Sequence, residues 1–303
     1  MFVMQQNNFM KERINPFNER WKQELYKALG AKEDHDVAPT EARLKFEREQ
    51  MEILKSLLMV KKGDSVLEFG SGKARVLKEI GMIAKLCVGL DISFEVLKLN
   101  KLNEKKMPFI QGDMFNQPFR EESFDLVMSE GVIEHFYNWR EILSEANRIL
   151  KPGGKLATAV PNLLNLPQTI ALALQGRNFR YYPEKPFYPD MTGSLAKEYK
   201  KIGLTNLQFA GWRPGYFLDS FYLFDLKTGK VKHPFYLPIL RALGKNVESL
   251  MKVLPDDKRR LANRWLGYEF VIVGTKPSDD NLVPHPEDQS EISEADRLFG
   301  ELL

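Results

Sequence analysis

The sequence predicts an α/β fold: a doubly wound, mostly parallel seven-stranded sheet with helices on both faces. Two observations predict it. Short apolar runs alternate with helical stretches from residue 63 onward, which is the rhythm of βαβ units. These runs are apolar along nearly their whole length, as expected of strands covered on both faces. We expect N-terminal helices before the sheet and a cap insertion in the C-terminal half.

The individual elements follow in chain order. Strands are predicted at DSVLEF (64–69), LCVGLD (86–91), PFIQGD (108–113), FDLVMS (124–129), GKLATAV (154–160), TNLQFAGW (205–212) and GYEFVIVGT (267–275). Helices are predicted after Thr40, near 73–83, from Ser93, over 138–150 and over 192–203. An insertion at about 216–264, with its own amphipathic helix, precedes the last strand.

This pattern divides the chain into four segments. We expect a helical segment at 1–62, the core of the sheet at 63–162, a cap with the last strands at 163–276, and a mobile tail at 277–303. The tail carries eight acids and one base, as acidic, mobile ends often do.

The cysteine content limits the cellular compartment of the protein and the kinds of site that the sequence could form. The one cysteine, Cys87, allows neither an internal disulfide framework nor a multi-cysteine metal site, and no metal is expected. Because Cys87 falls inside the second predicted strand, it is not expected to be a covalent nucleophile. With no signal-peptide pattern and no apolar run long enough for a membrane span, we expect a cytoplasmic protein.

A glycine-rich corner, Gly70-Ser71-Gly72, follows the first strand and allows three interpretations. A Walker phosphate loop fails, because Leu67 stands where its first glycine belongs and Ala74 follows Gly72-Lys73. A dinucleotide fingerprint is weakened, because Arg75 stands at the third glycine position. The third interpretation is a ligand without phosphate.

Acids at successive strand ends favour the third interpretation. Glu68, Asp91 and Asp113 close the first three strands, at the edge where doubly wound sheets bind ligands. A carboxylate repels a pyrophosphate and attracts an ammonium or sulfonium, and Asp91 is suitably placed to accept ribose hydroxyls. Together these acids suit a cationic nucleoside, and S-adenosylmethionine is such a molecule.

The run VLEFGSGKA…GLDIS…QGDMFNQPFREESFDLVMSEGVIEHF…EILSEANRILKPGGKLATAVPN resembles the class I S-adenosylmethionine-dependent methyltransferases. The resemblance covers about residues 63–162, and the branch that modifies small molecules and quinone precursors is the most similar. It implies the Rossmann-like methyltransferase fold and S-adenosylmethionine as the cofactor.

The resemblance also implies roles for individual residues. Glu68, Gly70 and Gly72 would line the methionine end of the cofactor, and Asp91 would hold the ribose. Ile92 would flank the adenine, Asp113 would meet its amino group, Met114 would lie against the ring, and Ser129 would sit near the reactive methyl. The sequence departs from the family pattern at Ala74, where a third glycine is common.

The segment after the fourth strand contains the candidate catalytic residues. His135 is the candidate base because histidine titrates near neutral pH, and the alternative is that it is a packed, hydrogen-bonded residue. Glu130 is the candidate substrate contact.

The acceptor is less constrained. The aromatic segments at 177–188 and 212–224 could form a lid or the core of the cap itself. Residues 227–264 carry ten Lys or Arg and three acids. This segment could bind an anionic membrane surface or an anionic substrate, or its charges could simply face solvent. We expect methylation of a small-molecule or lipid-like acceptor, more at oxygen than at nitrogen or carbon. RNA or protein methylation and a non-catalytic scaffold remain alternatives.

Overall fold

The computed structural model describes residues 41–136, 138–162, 164–165, 170, 191–212, 224–225, 230–231 and 237–278. Several expectations lie outside these residues. They are the helical segment before residue 41, the aromatic segment at 177–188, most of the second aromatic segment and the tail beyond residue 278.

The strands of the described chain are β1 Ser65–Phe69, β2 Leu86–Asp91, β3 Phe109–Gln111, β4 Phe124–Glu130, β5 Leu150–Pro161, β6 Thr205–Trp212, β7 Phe224–Asp225, β8 Lys230–Val231 and β9 Glu269–Thr275. The helices are α1 Glu41–Leu58, α2 Arg75–Ile80, α3 Phe94–Asn103, α4 Trp139–Ile149, α5 Met191–Lys201, α6 Leu237–Val253 and α7 Asp256–Leu266. A 3₁₀ turn covers Ile133–His135 between β4 and α4.

Seven of these strands form one sheet in the order β3-β2-β1-β4-β5-β9-β6. β1 to β5 are parallel to one another where they pair, whereas β9 is antiparallel to both β5 and β6. The predicted doubly wound, mostly parallel seven-stranded sheet is therefore confirmed. The order reverses between β1 and β4, and ligands bind at such a switch point in open α/β sheets.

Two apolar cores cover the two faces of the sheet. One contains Leu67 and Phe69 of β1 with Trp139, Leu143 and other residues of α4 and α5. The other contains Val66 with Leu54 and Leu58 of α1, Leu77 of α2 and Val96 of α3. Because α1 packs into this second core, this helix is part of the same folded unit as the sheet.

One helix and one strand begin at residues different from the predicted ones. The helix predicted near 73–83 begins only at Arg75, because Ala74 adopts a left-handed conformation with φ 53°. The strand predicted at 154–160 extends back to Leu150, which pairs with Phe124 beside a register shift.

The C-terminal insertion contains two helices, α6 and α7, where one amphipathic helix was predicted. Among the residues that the structure describes, no helix combines the length and the apolar character that a membrane span requires.

Candidate cofactor and active site

The carboxyl ends of β3, β2, β1 and β4 lie side by side at one edge of the sheet. Phe69 of β1 is in register with Leu90 of β2 on one side and with Ser129 of β4 on the other. Asp91 is in register with Gln111, two residues before Asp113. The predicted strand-end acids and Ser129 are therefore brought to a common edge, as parallel strands require.

The glycine corner turns sharply from β1 into α2. Gly70 and Gly72 have φ values of 60° and 48°, in the left-handed region that favours glycine. A Cβ on Gly70 would lie 2.6 Å and 2.7 Å from the two γ-carbons of Val132. The corner therefore requires glycine at position 70 for both its backbone conformation and its space.

The structure accounts for Ala74 at the position where the family commonly has a third glycine. Its backbone is left-handed, although alanine incurs a steric cost there that glycine avoids. Its methyl group is buried in the core that α1, α2 and β1 share, and this burial offsets part of that cost.

Asp91 ties the glycine corner to the next helix. Its Oδ2 accepts the backbone N–H of Gly72 at 2.9 Å, and its Oδ1 accepts the backbone N–H of Ser93 at 2.8 Å. Ser93 immediately precedes α3, but its side chain makes no capping hydrogen bond. Asp91 thus satisfies an orphan donor at that helix start.

The residues to which the resemblance assigns the adenine follow β2 and β3. Asp113 Oδ1 accepts the backbone N–H of Phe115 at 3.0 Å, which holds the turn after β3. Met114, between them, is buried in the core. Ile92 is half-buried, and its carbonyl accepts a hydrogen bond from the Gln111 amide at 3.1 Å.

Buried polar atoms without partners line the corner. Glu68 is 4% exposed, and its Oε2 has no hydrogen-bond partner, nor do the hydroxyls of Ser71 and Ser129. Burial and the neighbouring Glu130 raise the pKa of Glu68 well above its usual value. Because buried polar groups are normally paired, these atoms indicate a ligand that brings its own polar groups.

A second network lies beside the corner, beneath α1. Glu130 Oε1 accepts hydrogen bonds from the Arg75 guanidinium at 2.5 Å and from the Gln50 amide at 2.6 Å. The same Gln50 amide donates to Glu269 Oε2 at 2.9 Å. Glu130, predicted as a substrate contact, is thus held by groups from α1 and α2.

Glu134 and His135 complete this side of the site. Glu134 is 3% exposed, and burial raises its pKa to about 8. Its Oε1 lies 3.9 Å from His135 Nε2 in the 3₁₀ turn after β4. The turn therefore puts a carboxyl group beside the predicted base.

The sequence analysis did not identify several residues of the candidate site. Gln50 lies 80 residues from Glu130 and 219 residues from Glu269, yet it bonds to both, and no local pattern signals such a contact. Asn100, whose amide donates to the Gly72 carbonyl at 2.6 Å, was missed for the same reason. Glu134 stands within the segment predicted to be catalytic and could have been found from its place between Glu130 and His135.

Cys87 lies inside β2 as predicted. Burial and the nearby Glu68 raise the pKa of its thiol to about 11, which disfavours the thiolate. In the described part of the chain, no group of three or more histidine, cysteine or acidic side chains is arranged to hold a metal ion.

Comparison with known proteins agrees with this geometry. Residues 67–158 match the family described as methyltransferase domain. An uncharacterized protein of Methanocaldococcus jannaschii is 32% identical over 156 residues, which are 50% of this chain and 59% of that protein. A demethylmenaquinone methyltransferase of Corynebacterium urealyticum is 33% identical over 97 residues, which are 32% of this chain and 41% of that enzyme. The chain thus spans about half the length of these curated relatives.

The fold is also shared with solved structures. One is a chain of the complex between the Haloferax volcanii Trm112 methyltransferase activator and a methyltransferase, at 18% identity and a TM-score of 0.53. The match covers 86% of this chain and 97% of that chain. At this identity the likeness concerns the fold alone.

The crowding at Gly70 generates a prediction. Gly70→Ala should destabilise the protein by about 2 kcal/mol or more, because the new methyl group meets Val132 and the left-handed backbone is strained. Thermal and urea unfolding measure the loss. Adding Val132→Ala should restore part of it.

Gly203→Ala is the matched control for Gly70→Ala. Gly203 also has a positive φ, 86°, but no atom lies within 4 Å of the position that a Cβ would occupy there. It should lose only the strain contribution, about 1 kcal/mol. Equal losses for the two variants would contradict a role for crowding.

The arrangement fits the cofactor that the family uses. A tight glycine turn allows close backbone approach, Asp91 offers acceptors for hydroxyls, and the unpartnered Glu68 oxygen suits a cationic group. The fold, the matched segment and this fit agree. The chain therefore carries a class I methyltransferase domain of the S-adenosylmethionine-dependent kind.

Proposed function

We propose that the protein transfers a methyl group from S-adenosylmethionine to a hydroxyl oxygen of a small-molecule or lipid-like acceptor. The observation that carries the proposal is the common edge at which Glu68, the glycine corner and Asp91 meet. Its unpartnered buried oxygens call for a cationic, hydroxyl-bearing ligand.

The cofactor-binding roles follow the resemblance and the geometry. Glu68, Gly70 and Gly72 would hold the methionine end, Asp91 the ribose hydroxyls, and Ser129 would lie near the transferred methyl group. Ile92, Asp113 and Met114 would enclose the adenine. The close contacts of the corner and Asp91 support these roles, because both fix backbone groups that the cofactor would approach.

Bound S-adenosylmethionine supplies a methyl group already activated for displacement, so the chain must orient the acceptor and manage its proton. A hydroxyl acceptor has to lose a proton during transfer, and a base near neutral pKa assists. His135 would take this proton, with the Glu134 carboxyl beside its Nε2. The raised pKa of Glu134, about 8, supports a proton-handling role at this position.

A lipid-like acceptor is supported by the surface of α6. Ile239, Leu250 and Val253 are exposed there and fall within about 60° of one another on a helical wheel. Lys245 and Lys252 are exposed on the adjoining side. An apolar stripe beside lysines suits an anionic lipid surface, and the name of the Corynebacterium relative, demethylmenaquinone methyltransferase, is compatible with a quinone-type acceptor.

Asp91→Ala tests the cofactor assignment. We expect S-adenosylmethionine affinity, measured by calorimetry, to fall about 10- to 100-fold, because charge-assisted hydrogen bonds to hydroxyls and to the glycine corner are lost. Asp91→Asn, which keeps one acceptor oxygen, should lose less.

Asp125→Ala is the matched control. Asp125 also accepts a backbone N–H, that of Ser65 at 2.8 Å, but at the opposite edge of the sheet. It should lose stability and keep cofactor affinity. Unchanged affinity in Asp91→Ala would remove the proposed ribose site.

His135→Ala should slow turnover about 10²- to 10⁴-fold while cofactor affinity stays within about twofold, because a base acts on the acceptor. Release of S-adenosylhomocysteine with a panel of phenols and quinols provides the assay. His135→Gln keeps bulk and hydrogen bonding but not basicity, so it should be equally slow. Full activity in the glutamine variant would assign His135 to packing.

The α6 surface predicts binding to phosphatidylglycerol-containing vesicles. The triple variant Ile239→Ser, Leu250→Ser, Val253→Ser should bind about tenfold more weakly in sedimentation, because apolar area is lost from the interface. Met82→Ser with Leu102→Ser removes exposed apolar side chains elsewhere and should have no effect. Equal binding to neutral and anionic vesicles would contradict the proposed lysine contribution.

A further inference from the structure

Four glutamates form a group, named here the carboxyl cluster, beside the glycine corner and the 3₁₀ turn. They come from four separate elements: Glu68 from β1, Glu130 from β4, Glu134 from the 3₁₀ turn and Glu269 from β9. The Gln50 amide bridges Glu130 and Glu269, and the Arg75 guanidinium binds Glu130. Hydrogen bonds thus join Glu130 and Glu269, and Glu68 and Glu134 are buried beside them, so the cluster is not a grouping of surface acids.

Among the described residues, acids outnumber basic groups when the four glutamates of the cluster are counted with their neighbours. The charged and titratable groups that act on it from the packed elements are Glu47 of α1, Asp91 of β2, Arg75 and Lys78 of α2, and His135 of the 3₁₀ turn. Burying several carboxylates together is costly unless they are neutralised by protons or by a cation.

Two buried oxygens show where such a cation would act. Glu68 Oε2 and Glu134 Oε2 have no hydrogen-bond partner, and both residues are at least nine-tenths buried. Burial raises the pKa values of Glu134 and Glu269 to about 8, so these two carboxyls hold protons at neutral pH although the Arg75 guanidinium binds Glu130. Burial and the neighbouring Glu130 also raise the pKa of Glu68. These groups interact with one another, so the protons belong to the cluster as a whole.

We propose that the carboxyl cluster exchanges a proton for the positive charge of the cofactor: it releases a proton when S-adenosylmethionine binds and takes one up when the methyl group leaves. The inference rests on the proposed function. It identifies the carboxyl cluster as the group that finally takes up the proton that the methyl acceptor loses.

The exchange balances charge in the transfer step. The acceptor oxygen forms a bond to the methyl carbon while the sulfur–methyl bond breaks, and the electron pair of that bond remains on sulfur. The sulfonium charge disappears, and the hydroxyl proton passes by way of His135 to a cluster carboxylate. No additional reactant is needed, and the buried site has the same net charge before and after the step.

The consequence is a selective preference for the charged donor. S-adenosylmethionine and S-adenosylhomocysteine carry the same ammonium, carboxylate and ribose, and differ by the methyl group and its sulfonium charge. The cluster therefore stabilises the donor more than the product as it ionises, which assists product release.

Calorimetry of the wild-type protein tests the proposal. Titrations at pH 7 in phosphate and in Tris, which differ in ionisation enthalpy, give the number of protons released on binding. We expect S-adenosylmethionine to release about one more proton than S-adenosylhomocysteine. Its affinity should rise by up to about tenfold per pH unit below pH 8 and level off above it, because the unbound cluster is then already ionised. The affinity of S-adenosylhomocysteine should vary less over the same range.

The double variant Glu134→Gln, Glu269→Gln should lose at least half of the difference in proton release. Glu121→Gln, an exposed glutamate outside the cluster, should retain all of it. If the double variant fails to fold, the wild-type comparison and the Glu134→Gln single variant still decide the matter.

The outcomes separate the exchange from methyl transfer itself. Equal proton release by the two ligands in the wild-type protein would overturn the exchange while leaving methyl transfer intact. A full difference in a folded double variant would overturn the assignment to these carboxyls. Absence of binding by both ligands would overturn the proposed function itself, and the exchange with it.

Discussion

The Asp91 carboxylate joins two backbone segments of the candidate cofactor site. By accepting one N–H from Gly72 and one from Ser93, it fixes the glycine corner against the start of α3. Hydrogen bonds to an ionised carboxylate are stronger than neutral ones, and both donors belong to turns that sheet hydrogen bonding cannot satisfy. The start of α2, including Arg75, follows directly from that junction, because Gly72 leads the chain into this helix.

The site combines an ordered backbone with an unbalanced charge. The corner is held from three sides, by Asp91, by the Asn100 amide and by the packing of Val132 against Gly70. In contrast, neighbouring cations neutralise the buried carboxyl groups beside the corner only in part. A rigid frame with several buried acids can favour a cation at a defined position, since the frame cannot relax to bring the acids into water.

The N-terminal helix α1 belongs to this arrangement although it lies outside the matched segment 67–158. Its Leu54 and Leu58 pack in the core, which orients the helix, and Gln50 is thereby brought over the ends of β4 and β9. One buried amide thus links the segment before the sheet, the fourth strand and the last antiparallel pair. An element outside the matched segment therefore contributes a side chain to the candidate site.

The sequence by itself determined the sheet, the glycine corner and the acids at the strand ends. Those features are written locally: apolar runs of strand length, glycines where the backbone turns, and carboxylates where each run stops. Parallel strands necessarily present their ends at one edge, so Glu68, Asp91 and Asp113 could be grouped without coordinates.

Only the tertiary structure decided how those groups are used. It revealed that Asp91 binds two backbone N–H groups, that Ala74 is left-handed, and that Gln50 bridges Glu130 and Glu269, which lie 80 and 219 residues away from it along the chain. Such contacts depend on the crossing of α1 over the sheet and on the insertion of β9 between β5 and β6. The burial that alters the protonation of Glu134 is likewise a property of packed elements, because desolvation depends on what surrounds a side chain and not on its neighbours in sequence.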